Sequence, residues 1–296
     1  HYDSMAKGRT LRQQRATTTI EFDIEDTLMA SSRRLPGTPE PMTMLSGLDG
    51  LGVAADYWGR KGDPLVVLLH GGGQTRHAWK GTGEVIAKSG YRTVSLDARG
   101  HGDSGWAKDG AYGQDVMVDD LVAVLNDLDD PRPVLVGASM GGGVSLCAVG
   151  EGHVDAQALV LVDMAPQIES EGAQRILDFM AQKPEGFDSL EEVAEAIASY
   201  QPHRTRPQAL NGLKKNVRLD ESDRLRWHWD PAWLGDKGVG EIGSRLDRLQ
   251  IAAENLSEMN IPTLLVRGGL SDVLSEVGAQ AFLETCPHAE YVNVTE

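Results

Sequence analysis

Residues 137–141 read Gly-Ala-Ser-Met-Gly, and they stand between an apolar run and a run of small residues. The apolar run 133–136 predicts a buried strand, and the small residues 140–150 predict a closely packed helix. A serine on so sharp a strand-to-helix turn exposes its hydroxyl, and its strained backbone requires small neighbours such as Gly137 and Gly141. The stretch therefore predicts Ser139 as a nucleophile, with the Met140 N–H at the helix N-terminus facing a developing oxyanion.

Apolar runs recur along the chain and alternate with helical patterns. The first run is continuously apolar and the others are mostly apolar, which is typical of strands buried on both faces, and the alternation indicates a mostly parallel central sheet flanked by helices. Thr43 to Trp58 alternates weakly around glycines and predicts an antiparallel hairpin before the first run. The apolar runs are 64–69, 93–96, 133–136, 158–162, 263–266 and 291–294, and the helical patterns between them are 75–89, 114–128 and 140–150.

The alternation stops after Val162 and resumes only near residue 257. The intervening residues contain amphipathic helical stretches but no buried-strand run, so we interpret them as a helical cap inserted after the sixth strand of the fold, over the carboxyl edge of the sheet. The expected organisation is a tag remnant and polar arm over residues 1–41, the first part of the core over 42–165, the helical cap over 166–256 and the last part of the core over 257–296.

A second glycine-rich segment follows the first apolar run. Residues 70–73 read His-Gly-Gly-Gly, and glycines there allow a tight turn that offers a main-chain N–H to a substrate oxygen. We expect Gly72 to be that donor, with Gly73 as the second choice. The segment 97–104, Asp-Ala-Arg-Gly-His-Gly-Asp-Ser, reads as a loop held by its own hydrogen bonds, in which His101 is not expected to act chemically.

Charge and cysteine content exclude several classes of function. The 28 basic and 44 acidic residues give a net charge of −16, which disfavours binding to nucleic acid or to an anionic membrane surface. No apolar stretch approaches 18 residues, so no membrane span is expected. The two cysteines, Cys147 and Cys286, show no metal-ligand spacing and are expected to be reduced and buried in a cytoplasmic protein.

In chain order, the segments at 70–73, 97–104 and 137–141 resemble those of the α/β-hydrolase family over roughly residues 42–296. Within that family the chain is similar to cofactor-free esterases, lactonases and perhydrolase-like haloperoxidases with a helical cap. The resemblance implies a triad in the order serine, acid, histidine, acyl transfer from a small hydrophobic ester or lactone, and no metal or organic cofactor. Relatives that are dehalogenases or epoxide hydrolases usually carry aspartate at the position of Ser139.

The resemblance also gives expectations for the other triad members. The family places its acid in the loop after the late strand 263–266, where Asp272 fits, and some relatives instead use the position of Asp163. The family places its histidine after the last strand, but no histidine follows Val294 and His288 precedes that strand. We therefore expect the native chain to continue past Glu296 with the histidine and a final helix.

The predicted cap supplies candidates for the wall of a substrate pocket. An apolar wall favours a hydrophobic acyl or alcohol group. Two alternatives stay open: a non-catalytic protein of this fold that binds a small ligand, and a carbon–carbon bond hydrolase or perhydrolase that uses the same triad. The wall candidates are Trp227, Trp229 and Trp233 of the cap together with Met164 and Met140, and His228 lies between two of these tryptophans.

Overall fold

The apolar runs of the sequence form an eight-stranded sheet in a computed structural model of the chain, which describes residues 34–130, 132–200, 209–235 and 242–295. The predicted polar arm therefore lies outside the described residues as far as residue 33, as does His203. The spatial order of the strands is β1-β2-β4-β3-β5-β6-β9-β10. Strands β1 and β2 are antiparallel to their neighbours and all other pairings in this sheet are parallel. The strands are β1 (Thr43–Ser46), β2 (Gly52–Trp58), β3 (Leu65–Leu69), β4 (Arg92–Leu96), β5 (Val134–Ala138), β6 (Ala158–Val162), β9 (Thr263–Gly268) and β10 (Glu290–Val294).

Helices cover both faces of this sheet, as the alternating pattern predicts. The pattern at 75–89 divides into a 3₁₀ turn (Arg76–Trp79) and a shorter α-helix. The division has a physical cause: the carboxylate of Asp97 accepts the Arg76 amide at 2.6 Å and also binds its guanidinium, which fixes the first turn. The helices of the core are α1 (Lys80–Lys88), α2 (Gln114–Leu128), α3 (Met140–Gly150) and α7 (Glu276–Thr285).

Helix α3 is buried at every position and lies directly behind the sheet. Its small residues let a second helix, α6 (Ile242–Met259), pack closely along it. A Cβ built on Gly150 would lie 2.2 Å from the carbonyl oxygen of Ala252, so only glycine permits this approach. The small-residue pattern of 140–150 therefore marks a close contact between helices.

The residues that connect β6 to β9, called the insertion here and taken as 166–256, contain helices α4 (Ser170–Ala181) and α5 (Leu190–Tyr200) before α6. They also contain an antiparallel hairpin of β7 (Val217–Leu219) and β8 (Leu225–Trp227). The sequence analysis did not predict this hairpin. Each strand has only three residues with an arginine at its centre, which leaves no apolar run for a sequence pattern to detect.

Candidate active site

Ser139 occupies the turn between β5 and α3. Its φ of 44° and ψ of −111° lie in a region that L-residues other than glycine rarely adopt, at a typical cost of about 1–3 kcal/mol. The turn is closed on one side by Gly143, whose amide donates to the Ser139 carbonyl at 2.9 Å. On the other side the Ser139 amide donates to the carbonyl of Val162, the last residue of β6, at 3.0 Å. Two hydrogen bonds thus hold the serine in a strained conformation at the carboxyl edge of the sheet.

The glycines two residues before and after Ser139 are sterically required. A Cβ on Gly137 would lie 2.4 Å from the carbonyl oxygen of Gly141, and a Cβ on Gly141 would lie 2.6 Å from the Cβ of Leu69. Real Cβ atoms do not approach backbone or neighbouring side chains so closely. The spacing of glycines around the serine is therefore explained by contacts with β3 and within the turn.

The loop of residues 70–74 lies beside the serine, since a Cβ on Gly71 would be 3.4 Å from the Cβ of Ser139. Within this loop the Gly71 amide donates to the side chain of Gln74 at 3.1 Å, and the Gly73 amide donates to Nε2 of His101 at 3.1 Å. Among the described residues, the Gly72 amide has no hydrogen-bond acceptor. Gly72 N–H is thus the donor of the loop that remains free to bind a substrate oxygen, whereas Gly73 N–H is occupied.

The Met140 amide is the second free donor near the serine. As the first residue of α3 it has no intrahelical acceptor, and the described residues offer it none outside the helix. The next amide, Gly141 N–H, is occupied because it donates to the carbonyl of His70 at 3.1 Å. Two unoccupied main-chain N–H groups in the segments next to a serine can stabilise a tetrahedral oxyanion.

Three buried imidazoles surround the glycine loop. The ring centroids of His70 and His101 are 5.3 Å apart, and those of His101 and His228 are 5.8 Å apart. Burial lowers the pKa of His70, lowers that of His101 to about 3, and holds that of His228 well below 6.5. All three rings are therefore neutral at pH 7.

Each neutral imidazole uses both ring nitrogens in hydrogen bonds to the main chain. His70 donates from Nδ1 to the Gly71 carbonyl at 2.8 Å and accepts the Ala98 amide at Nε2 at 3.0 Å. His101 accepts the Gly73 amide and donates from Nδ1 to the Arg99 carbonyl at 3.2 Å. None of these rings has a nitrogen left to remove a proton from Ser139. His101, in the loop after β4, is not expected from the sequence to act chemically, and it holds the glycine loop through the Gly73 amide.

The insertion contributes His228 to the same cluster. Its Nδ1 accepts the Gly102 amide at 2.8 Å, and its Nε2–H donates to the Gly73 carbonyl at 3.2 Å. The adjacent residues bind the core as well: the Asp230 amide donates to the Gly100 carbonyl at 2.8 Å, and Tyr112 Oη donates to the Asp230 carboxylate at 2.5 Å. The insertion is therefore anchored on the loop that follows β4.

That loop is itself fixed by buried charges, in agreement with the architectural role predicted for residues 97–104. Arg76 is fully buried and contacts Asp97 at 2.6 Å, Asp103 at 2.9 Å and Asp56 at 3.0 Å. Burial opposes the charge of Arg76, but the three carboxylates outweigh it and raise the pKa of the guanidinium. Asp103 also contacts Arg218 of the insertion at 2.8 Å. The charges thus tie the loop to both the core and the insertion.

The two candidate acids lie in different surroundings. Asp163 follows β6 directly, and its carboxylate accepts the Gly268 amide at 3.2 Å and the Ser271 hydroxyl at 2.6 Å. Asp272 has a side chain that is 54% exposed and forms an ion pair with Arg175 of the insertion. Asp163 is therefore held at the carboxyl edge of the sheet, next to the strand that carries Ser139, whereas the Asp272 carboxylate points to the surface.

The predicted wall residues also fall into separate places. Trp233 and Trp229 contact the glycine loop: a Cβ on Gly72 would lie 3.2 Å from Cη2 of Trp233, and one on Gly73 would lie 3.5 Å from Cζ3 of Trp229. Met180 of α4, which sequence analysis missed, contacts both glycines. Its position in an amphipathic helix carries no signal that separates a pocket residue from a core residue.

Trp227 and Met164 lie further from that loop. The Trp227 ring stacks on that of Trp229 with a centroid distance of 4.9 Å and packs edge-on against Phe187 inside the insertion. Met164 packs against α3, where a Cβ on Gly142 would lie 3.2 Å from its Cβ. Of the predicted wall residues, Trp229 and Trp233 thus pack against the glycine loop, together with Met180.

The described histidines outside the cluster have surroundings of their own. His77 lies 3.6 Å from Asp56, and His153 lies 3.2 Å from Glu151. His288 precedes β10, at the opposite edge of the sheet from the turn of Ser139, and its buried Nε2 has no partner. Across the described ranges there is neither a group of three potential metal ligands nor a helix long and apolar enough to cross a bilayer.

Comparison with known proteins identifies related chains. The family model described as the alpha/beta hydrolase fold matches residues 64–295. An esterase of Mycobacterium tuberculosis is 26% identical over 279 residues, which span 92% of this chain and 88% of that protein. A non-heme chloroperoxidase of Kitasatospora aureofaciens is 36% identical over 128 residues, a shorter match that spans 43% of this chain and 46% of that protein.

Solved structures give the same comparison at the level of the fold. The crystal structure of an alpha/beta hydrolase from Novosphingobium aromaticivorans superposes with a TM-score of 0.69 at 25% identity, and covers 85% of this chain and 89% of its own. The fold described above is therefore shared with a solved structure.

Proposed function

The chain belongs to the α/β-hydrolase fold family, and from that membership we propose that it is a serine hydrolase that cleaves a carboxylic ester or lactone through an acyl-enzyme. The observation that carries the proposal is the strained Ser139 together with two free N–H groups in the adjoining segments, those of Gly72 and Met140. Similarity to an esterase over nearly the whole chain supports ester hydrolysis in particular.

In this mechanism the Ser139 hydroxyl attacks the substrate carbonyl carbon. The carbonyl oxygen becomes an oxyanion, which accepts hydrogen bonds from the Gly72 and Met140 amides; one such donor typically contributes about 3 kcal/mol to the transition state. Collapse of the intermediate expels the alcohol and leaves the acyl group on Ser139. Water then attacks the acyl-enzyme and releases the acid.

The acid of the triad is proposed to be Asp163, the second choice of the sequence analysis, in preference to Asp272. Asp163 is held by the Gly268 amide and the Ser271 hydroxyl, yet a carboxylate has about four acceptor sites and can still accept an imidazole N–H. Asp272 already pairs with Arg175 and is half exposed. An acid that orients an imidazole acts best from a fixed position.

The three buried imidazoles are poor candidates for the general base, because each has both ring nitrogens occupied by the main chain. The family resemblance places the triad histidine after the last strand. That position lies at the same carboxyl edge as Asp163 and Ser139, since β5, β6, β9 and β10 are successive parallel strands.

The insertion is proposed to act as a cap that selects the substrate. Its apolar side chains against the oxyanion loop are those of Trp229, Trp233 and Met180. Burial of an apolar acyl or alcohol group of the substrate against them is favourable. A small hydrophobic ester or lactone fits this wall better than a charged one, because the wall offers a charge no partner.

The test is labelling of the full-length protein with a fluorophosphonate probe, together with hydrolysis of p-nitrophenyl esters of increasing chain length. We expect stoichiometric labelling that disappears in Ser139→Ala. Ser145→Ala is the matched control, because Ser145 lies on the same helix and only donates its hydroxyl to the Gly141 carbonyl at 2.8 Å. Labelling that persists in Ser139→Ala, or no labelling and no ester hydrolysis by the wild type, would overturn the proposal.

A further inference from the structure

His228 stands out in the insertion because it binds the oxyanion loop and not only the surface of the core. It is fully buried, and it is the residue that bridges Gly102 of the loop after β4 and Gly73 of the loop after β3. Its two contacts join segments that lie 126 and 155 residues away in the sequence. The mechanism proposed above assigns His228 no role.

The path from His228 to the free Gly72 amide passes through two peptide planes. The Nε2–H of His228 holds the Gly73 carbonyl at 3.2 Å. That carbonyl shares a planar peptide with the amide of Gln74, which donates to the Gly71 carbonyl at 3.1 Å. The Gly71 carbonyl in turn shares a planar peptide with the Gly72 amide. Fixing the direction of the Gly71 carbonyl therefore also fixes the direction of the Gly72 N–H.

The loop needs such support because it contains three successive glycines. Glycine has no Cβ to restrict its backbone, and Gly73 has a φ of 71° that glycine adopts freely. Without outside contacts the Gly72 N–H would sample many directions, and a donor contributes to catalysis only when it points at the oxyanion. The core contributes His70 and His101 to this support, and the insertion contributes His228.

We propose that His228 is a positioning residue for the oxyanion hole, so that the hole is complete only when the β8 end of the insertion is docked on the core. This inference rests on the proposed hydrolase function and deepens it. The insertion then affects the rate of acyl transfer itself, in addition to the choice of substrate. Its influence runs through the Gly73 carbonyl, and the contact of His228 with Gly102 serves only to hold the insertion in place.

Two variants with amide side chains distinguish the contact of His228 with Gly73 from its contact with Gly102. In His228→Gln the side-chain Nε2 can replace the imidazole Nε2–H and donate to the Gly73 carbonyl, while the acceptor for Gly102 is lost. In His228→Asn the side-chain oxygen can replace Nδ1 and accept the Gly102 amide, while the Gly73 contact is lost. Each variant keeps one hydrogen bond, so a purely structural role predicts similar behaviour.

We expect His228→Asn to lower kcat for p-nitrophenyl butyrate about tenfold to a hundredfold, the range produced by slight misplacement of a catalytic group, with little change in KM. His228→Gln should retain kcat within about threefold, the size of an ordinary loss of a remote contact. Tyr112→Phe is the matched control: it removes one hydrogen bond to Asp230 and leaves both contacts of His228 in place, so it should lower the melting temperature while kcat stays near that of the wild type.

Hydrogen–deuterium exchange of the peptide that covers residues 70–76 gives a readout independent of turnover. It should be faster in His228→Asn than in His228→Gln. Equal kcat and equal exchange in the two variants would overturn the inference while leaving the serine hydrolase function intact. If instead the wild type neither reacts with the fluorophosphonate nor hydrolyses esters, the proposed function fails, and the inference about catalysis fails with it, even if the exchange data show that His228 orders the loop.

Discussion

The main-chain amide of Ser139 donates to the carbonyl oxygen of Val162 at 3.0 Å, which sets the proposed nucleophile beside the residue that follows Val162, Asp163. The carboxylate of Asp163 is in turn fixed by Ser271 and by the main chain of Gly268. The serine and this acid are thus coupled through adjacent strand ends, β5 and β6. Asp272 has no comparable connection, because its partner is Arg175 on the exposed side of the insertion.

Replacing each aspartate with asparagine, which has the same shape but no charge, therefore distinguishes their roles. We expect Asp163→Asn to lower kcat by roughly three to four orders of magnitude, the loss typical of a triad acid that can no longer orient its histidine. Asp272→Asn removes an exposed ion pair, which typically contributes about 0–1 kcal/mol, and should leave kcat within a few fold. Ester hydrolysis by the full-length protein measures both, and the opposite ranking would return the role of acid to Asp272.

The conformation of Ser139 predicts an unusual effect of glycine on stability. Glycine adopts a φ of 44° without strain and alanine does not, so Ser139→Gly should be more stable than Ser139→Ala by about 1 kcal/mol after the entropy cost of glycine is included. Position 145, inside α3, is the matched control, where glycine should be less stable than alanine by about 1 kcal/mol. Urea unfolding of the four variants gives the comparison, and the same sign at both positions would contradict the strain.

The buried imidazoles predict a dependence of stability on pH. The folded pKa values of His70, His101 and His228 lie below 6.5 because of burial, so the unfolded chain binds more protons below that pH. The free energy of unfolding should therefore be greatest above pH 6.5 and fall as the pH decreases, by about 1.4 kcal/mol per pH unit for each ring that is charged only when unfolded. Urea unfolding between pH 7.5 and 5 measures this slope.

His101→Asn tests the origin of the slope. It removes one titrating ring, so the stability of the variant should depend less steeply on pH than that of the wild type, even though its stability at pH 7.5 is lower. An unchanged slope would show that the buried rings do not cause the dependence.

The contact between Trp233 and Gly72 predicts a change in substrate preference. The edge of the indole bounds the space next to the proposed oxyanion donor, so Trp233→Leu should raise kcat/KM for octanoate relative to acetate esters by about tenfold, the effect expected when room is made for one or two methylene groups. Trp227→Leu is the control, since Trp227 packs on Trp229 and Phe187 within the insertion. A similar shift in both variants would mean that loosening of the insertion, rather than the Trp233 edge, changes the preference.

Local patterns were sufficient to predict the turn of Ser139, the parallel sheet and the core helices α1, α2 and α3, but not α7. The turn depends on contacts within a few residues, such as that between Gly137 and Gly141, and strands buried on both faces leave an unambiguous apolar run. Residues that are close together in the sequence determine these features. The prediction that Cys147 and Cys286 are buried is confirmed.

Features that depend on distant partners were not predictable. The choice between Asp163 and Asp272 depends on Ser271 and Arg175, and the latter lies 97 residues from its partner. The 3₁₀ turn at Arg76 depends on the carboxylates that bury its charge. His228 could be placed near the pocket by its neighbours Trp227 and Trp229, but its hold on Gly73 exists only once the insertion has folded onto the core.

The strained backbone of Ser139 also bears on how this protein responds to directed evolution. A selection that rewards survival of heat alone favours glycine at position 139, since that substitution relieves the strain, and it would discard the hydroxyl in the same step. Libraries screened for heat resistance should therefore be counter-selected for turnover. Gains in robustness are better sought at sites remote from the turn, such as the exposed Gly81 of α1, where an added Cβ meets no neighbour within 4 Å.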